Sequence, residues 1–292
     1  MNPEKAKQFR PPPIIFRYDE QNAILYALSI GCTVKEDFHF LYEKHEQFQV
    51  FPMYVVAFAL MANPLGNWPG VYFELDKSVH GEQIIEIFAP LPPQGEIKAE
   101  TRVLDILDKG QSAVVISEVV LFNNETGRKL ADVQFTFFQS NAGGFGGQRT
   151  SAIVTPPPSL PTNAPLMVIE DTIGQEQAAL YRLGGFDVNP LHIDPKFAGK
   201  AGFKQPILHG LCTLGIVTKR ILRLFGDNNG SNFRAVRVRF SAPVFVGQTL
   251  ATELWNEGTR ILFKTTEKYS GKVVLSNGYI DLHNCLPKAE RK

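Results

Sequence analysis

Tyr181-Arg182-Leu183-Gly184-Gly185-Phe186-Asp187-Val188-Asn189-Pro190-Leu191-His192-Ile193-Asp194 is the stretch that decides how this chain is read. Before the glycine pair, residues 175–183 carry Ala178, Leu180 and Tyr181 in a helical rhythm. Gly184 and Gly185 predict the end of that helix, and Asn189-Pro190 predicts a turn. Leu191 and Ile193 then restart an apolar run. Asp187, Asn189 and His192 therefore belong to a loop held at both ends, where reacting groups are commonly presented. Taken singly, each suits an Asx-type turn, a cap or a satisfied core histidine. Together they place a carboxylate and an imidazole where both can face one point, as general acid–base chemistry requires.

Outward from this loop the chain repeats itself weakly. Leu25-Tyr26-Ala27-Leu28 matches Leu180-Tyr181-Arg182-Leu183, and the apolar residues 52–61 match 209–221. Ala89-Pro90-Leu91 followed by Gly95 matches Ala242-Pro243-Val244 followed by Gly247. Landmarks kept in order at nearly constant spacing indicate a duplicated unit. Between the copies lies a stretch with Gly143, Gly144, Gly146 and Gly147, then Pro156, Pro157, Pro158, Pro161 and Pro165, a composition that makes a tether. These glycines match neither phosphate-binding pattern, G-x-x-x-x-G-K-[ST] or G-x-G-x-x-G. The division expected is an N-terminal half over 1–140, a linker over 141–165 and a C-terminal half over 166–292.

Alternation predicts strands over 114–122, 132–138, 236–240, 249–255, 261–269 and 273–282, with Ser270-Gly271 turning between the last two. The apolar run 50–62 reads as a buried helix, and Gly210 opens a second one over 211–224. One such helix with several strands in each half gives an α+β class. Where the second half has its Asp/His loop, the first offers only Ser29-Ile30-Gly31-Cys32-Thr33.

The loop resembles the signature of the MaoC-like (R)-specific 2-enoyl-CoA hydratases: aromatic, apolar, small, then Gly-Asp-x-Asn-Pro-apolar-His-x-acid. The likeness runs from about residue 18 to residue 282 and is greatest to the hydratase 2 unit of peroxisomal multifunctional enzymes. One departure is visible, because Phe186 stands where many members have Gly directly before Asp. The resemblance implies a double hot-dog fold, two long helices each wrapped by an antiparallel sheet, with an N-terminal half that has lost chemistry and kept binding. It implies hydration of trans-2-enoyl-CoA to (3R)-3-hydroxyacyl-CoA in fatty acid β-oxidation. It also implies an acyl-CoA substrate, a homodimer, and a peroxisomal setting, with the cytoplasm as the alternative.

That reaction needs a base to take a proton from water, an acid to deliver one to C2, and fixed donors for the enolate-like thioester oxygen. Asp187 and His192 supply proton transfer, each capable of about 10²–10⁴-fold effects. Asn189 offers an amide beside them. The Gly210 N–H, at a helix N-terminus, is the expected oxyanion donor. By the same resemblance His80, Gly81, Lys109 and Phe240 bind substrate. Lys109 otherwise reads as a hairpin-turn lysine beside Gly110, and Phe240 as plain core. Arg234, Arg237 and Arg239 read as a solvated strand face, with phosphate contacts as the alternative, and His39, His45 and His283 as structural or surface residues.

Composition narrows the alternatives. A net charge of +1 gives no reason to expect nucleic acid or an anionic membrane as partner. Three scattered cysteines fit a reducing compartment better than a disulfide framework. The apolar run 50–62 is shorter than the roughly 20 residues that span a bilayer. No metal or organic cofactor is expected, since C-x-x-C and H-E-x-x-H are absent. Residues 1–10 do not read as a signal peptide, and Ala289-Glu290-Arg291-Lys292 is not a Ser-Lys-Leu type address. The competing functions are a hot-dog acyl thioesterase, an acyl-carrier-protein dehydratase, or a non-catalytic acyl-CoA binding protein. A thioesterase usually carries its carboxylate on the central helix, without this loop.

Overall fold

A computed structural model describes residues 1–286. The C-terminal tetrapeptide considered above as an address lies outside them. The strands are β1 (Ile14–Tyr18), β2 (Ser78–Ile87), β3 (Gly95–Asp108), β4 (Ala113–Asn123), β5 (Lys129–Gln139), β6 (Met167–Thr172), β7 (Phe233–Phe240), β8 (Thr249–Glu257), β9 (Arg260–Glu267) and β10 (Val273–Leu282). They form a single sheet in the order β1-β3-β4-β5-β2-β7-β10-β9-β8-β6. Counting the last five strands afresh from β6 gives 1-3-4-5-2 in both halves. The copies meet at β2 and β7, which pair antiparallel with Ile84 opposite Arg237. Antiparallel pairing of equivalent strands is what a two-fold relation between copies requires. Residues 140–166, which connect the copies, contain no helix or strand.

The helices are α1 (Pro3–Gln8), α2 (Glu20–Ser29), α3 (Val55–Met61), α4 (Gln177–Gly184), α5 (Pro195–Lys200) and α6 (Gly210–Phe225). α6 is buried almost all round, with Leu214, Val217, Ile221, Leu222 and Phe225 in the core. Each such side chain contributes about 1.5–3 kcal/mol of hydrophobic stabilisation. Gly215 allows the close approach, since a Cβ there would lie 2.5 Å from Ile30 Cγ2. α2 packs beside α4 across the two halves. Gly184 is needed at that crossing, because its Cβ would stand 2.7 Å from the Leu25 carbonyl oxygen. Tyr26, Tyr54 and Tyr181 cluster beneath, with ring centroids 5.0 Å apart for Tyr26–Tyr54 and 6.1 Å for Tyr26–Tyr181.

The six expected strands form, and four others were not legible. In β3 the inward positions are Ile97, Ala99, Thr101 and Val103, so small or polar residues blunt the alternation. In β2 a bulge between His80 and Glu82 breaks the period. The expected helix over 50–62 is reduced to α3, seven residues preceded by a 3₁₀ turn at Pro52–Tyr54. Pro52 disfavours a helical Phe51, which is extended at φ −62° and ψ 128°. The central helices are thus unequal, seven residues in the first half against sixteen in the second. Residues 38–42, apolar enough to suggest a strand, make a 3₁₀ turn instead, and His39 Nε2 lies 2.8 Å from the Asn228 carbonyl oxygen.

Candidate active site

α4 ends at Gly184, and the Gly185 N–H donates to the Tyr181 carbonyl at 2.7 Å. Phe186 follows with φ +56°, in the left-handed region that favours glycine. Its ring lies near Tyr54 and Phe58, with centroids 6.1 and 6.4 Å away. Three side-chain turns then follow in series. Asp187 Oδ1 accepts from the Asn189 N–H at 3.2 Å, Asn189 Oδ1 from the Leu191 N–H at 3.0 Å, and Asp194 Oδ1 from the Lys196 N–H at 2.8 Å. The Asn189 carboxamide oxygen is therefore committed to the turn, which leaves its NH₂ for other partners.

His192 Nδ1 lies 2.8 Å from the Ile207 carbonyl oxygen. A carbonyl only accepts, so Nδ1 carries the proton and the neutral ring keeps its lone pair on Nε2. That Nε2 is 3.9 Å from Asp187 Oδ2, and the two side chains are 10% and 18% exposed. At this separation one oxygen atom can lie within hydrogen-bonding distance of both. Burial raises the carboxyl above the usual carboxylate range, while attraction to His192 pulls it back. Burial lowers His192, while Asp187 opposes that shift. As a carboxylate beside a neutral imidazole, the pair offers two adjacent lone pairs to a proton donor.

α6 begins beside this pair. The first carbonyl to serve α6 is that of His209, which accepts from Cys212 and Thr213. The Gly210 and Leu211 N–H groups precede it and have no helical acceptor, as at any helix N-terminus. A Cβ on Gly210 would lie 2.9 Å from Phe240 Cδ1, so the missing side chain lets Phe240 cover the start of the helix. Phe240 in turn contacts His80, with centroids 4.8 Å apart, and His80 stacks on Phe137 at 4.9 Å. The bulge at Gly81 turns His80 toward this aromatic group. Burial lowers the His80 imidazole to about 4, and its Nε2 has no protein partner among the described residues.

The structure thus brings Asp187, Asn189, His192 and Gly210 together and joins them to His80, Gly81 and Phe240 through aromatic contacts. It does not bring Lys109 to them. Lys109 lies in the β3–β4 turn, where its ammonium donates to the Arg149 carbonyl. The solvated arginine face also needs correction. Arg237 is buried, 3.3 Å from Glu82 and 2.8 Å from the Thr155 carbonyl of the linker. Arg234 pairs with Asp281 at 2.7 Å, and Arg239, 4.0 Å from Glu82, is the exposed member of the three.

His209 is a residue that the sequence did not single out. A lone imidazole inside the apolar run Ile207-Leu208-His209-Gly210-Leu211 was the signal available. Its ring faces His192, with centroids 3.8 Å apart and planes 31° apart, and Tyr181 at 5.0 Å. Ligand atoms of Asp187, His192 and His209 lie within 4.8 Å of one another, close enough to raise the question of a metal ion. The His192 Nδ1 and His209 Nε2 atoms are already engaged with main-chain carbonyls, which leaves one nitrogen of each tilted ring beside Asp187.

Comparison with known proteins identifies the family. Residues 16–141 match the MFE-2 hydratase 2 N-terminal domain, and residues 158–277 match the MaoC like domain. Enoyl-CoA hydratase 2, peroxisomal, of Arabidopsis thaliana is 35% identical over 286 residues, covering 93% of this chain and 92% of that protein. The chain belongs to the MaoC-like hydratase 2 family. Peroxisomal multifunctional enzyme type 2 of Mus musculus is 45% identical over 276 residues, which cover 93% of this chain and 37% of that longer enzyme. A MaoC-like dehydratase from Phytophthora capsici superposes with a TM-score of 0.87 at 30% identity, covering 96% of this chain and 98% of that one. The ten-stranded sheet with its paired copies is the double hot-dog fold of the family. No helix among the described residues is long and apolar enough to cross a membrane.

Proposed function

We propose that this hydratase 2 family member adds water across trans-2-enoyl-CoA to give (3R)-3-hydroxyacyl-CoA, as a hydro-lyase of fatty acid β-oxidation. The observation that carries the reading is the 3.9 Å gap between Asp187 Oδ2 and His192 Nε2, with the free N–H groups of α6 beside it. A water held in that gap loses a proton to the pair as its oxygen bonds C3. The pair then delivers a proton to C2, so that one water supplies both new substituents. Negative charge reaching the thioester oxygen during addition is met by the Gly210 N–H at the positive end of α6. The Asn189 NH₂ holds the water or the thioester in place.

His80, Gly81 and Phe240 line the approach for the pantetheine arm. Lys109 stands at the same end of the sheet as His80, since Ser78 pairs with Gln139, Gln139 with Ala113 and Ala113 with Asp108. From there it meets a phosphate of CoA by leaving the Arg149 carbonyl. The N-terminal half binds substrate without chemistry of its own. The chain works as a homodimer and in the peroxisome, a setting supported by its peroxisomal relatives. Loss of enoyl-thioester absorbance from crotonyl-CoA, with chiral analysis of the product, tests the activity. A 3S product, or no hydration by folded protein, overturns the reading.

A further inference from the structure

His209 has no part in the chemistry assigned so far, yet it contacts both the Asp187 loop and His192. The residue is buried, and its Nε2 is 3.1 Å from the main-chain carbonyl oxygen of Asp187. Since that carbonyl only accepts, Nε2 carries the proton and Nδ1 carries the lone pair. Nδ1 is itself buried with no partner among the described residues. One ring face lies on His192, and the ring also contacts Tyr181, the last aromatic residue of α4. Along the chain, His209 is the N-cap of α6, directly before the oxyanion glycine, yet its side chain makes no capping hydrogen bond. Its ring is turned toward the Asp187 loop instead of serving its own helix.

We propose that His209 is a positioning residue for the hydration, holding the Asp187 loop through its Nε2–H and His192 through its ring face. It thereby sets the acid–base pair at a fixed distance from the N–H groups of α6. The inference rests on the functional reading above and extends it to a third side chain. Three observations support positioning over direct proton transfer. The Nε2–H is committed to a main-chain carbonyl. Nδ1 faces no donor among the described residues. Burial and the adjacent His192 also lower the imidazole to about 2, so it stays neutral across the working pH range. A neutral ring can press on His192 without adding a competing charge. Geometry is worth defending here, since a misplacement of about 1 Å at a reacting centre can cost on the order of 10²-fold.

Two substitutions separate the contacts. His209→Phe keeps a ring face for His192 and loses the donor to Asp187, whereas His209→Gln keeps a donor and loses the ring. Each should lower kcat about 10-fold or more, with KM changed less than about 2-fold. The discriminating measurement is the His209→Gln effect in an Asp187→Asn background. If His209 acts through the pair, the double variant is no slower than Asp187→Asn alone. A further independent loss of about 10-fold there, or normal kcat in both folded single variants, overturns the proposal. Nitrogen NMR of the histidines in the unmodified protein gives a test free of folding effects. It should show His209 as the Nε2–H tautomer, not titrating between about pH 5 and 9, and an Nδ1–H or charged ring overturns the proposal. Near-normal kcat in Asp187→Asn alone instead sinks the catalytic reading itself, whatever His209 does.

Discussion

Phe186 offers a prediction with an unusual sign. Its φ of +56° costs a non-glycine residue about 1–2 kcal/mol relative to glycine, and its half-buried ring returns more than that by packing near Tyr54 and Phe58. Truncating a fully buried Phe to Ala costs about 3–5 kcal/mol, so a half-buried ring should be worth about 2–3 kcal/mol. Phe186→Ala removes the ring and keeps the strain, a loss of about 2–3 kcal/mol. Phe186→Gly removes both, a loss nearer 1–2 kcal/mol. The glycine variant should therefore be more stable than the alanine variant by about 1 kcal/mol, the reverse of the ordinary order in regular structure. Urea unfolding of the three proteins at one temperature reads the difference from midpoints at matched slope. An alanine variant as stable as the glycine variant, or more so, would show that the left-handed turn is not held at residue 186. Because Asp187 is the next residue, the same variants should lower kcat modestly, and Phe186→Gly, with the freer backbone, should lose more than its stability suggests.

Gly210→Ala should fold, since the position has no left-handed φ, but its methyl presses on Phe240 from 2.9 Å and closes the approach to the N–H. A fall in kcat/KM of about 10²-fold is expected, comparable to losing one oxyanion donor, and unchanged kcat/KM would remove Gly210 from that role. The working pair is a carboxylate and a neutral imidazole that titrate together, so kcat/KM should fall on acidification through an acid limb that belongs to the pair, and a kcat/KM that rises on acidification would contradict this. Stability should also decline on acidification below about pH 6.5. His192 and His209 have folded pKa values below their unfolded ones, so the unfolded chain binds more protons there, at up to about 1.4 kcal/mol per pH unit for His209. The raised Asp187 carboxyl works in the opposite sense and offsets part of this near the bottom of the range. His209→Phe should flatten the decline, as followed by thermal unfolding across pH. Turnover should survive exhaustive chelation, and activity lost on chelation and restored by one specific ion would contradict the proton-transfer chemistry.

The acid–base loop was legible because its residues are punctuated locally. Gly184 and Gly185 stop a helix, Asn189-Pro190 forces a turn, and side chains between two apolar runs have few places to point. The duplication was legible from landmarks, and strands β4, β5 and β7 to β10 from period-two alternation. What escaped depended on partners distant in sequence. β3 presents Ala99 and Thr101 inward because α3 and Ala62 lie over them, as the Thr101 hydroxyl bond to the Ala62 carbonyl shows. His209 reads as a helix-start residue until the fold carries Asp187 within 3.1 Å of its ring nitrogen. The buried Arg237 looked solvated because Glu82 and Thr155 lie 155 and 82 residues away along the chain.

The central claim is that Asp187 and His192 act on one water as a unit, and a double-mutant cycle on kcat measures that directly. Asp187→Asn keeps size and hydrogen bonding while removing the accepting carboxylate, and His192→Gln removes the titrating ring. Each alone should lower kcat for an enoyl-CoA by about 10²-fold or more, with KM little changed. The double variant should lose far less than the product of the two single effects, because groups that share one proton-transfer task are non-additive. Near-normal kcat in Asp187→Asn, or two losses that multiply in full, would contradict the account.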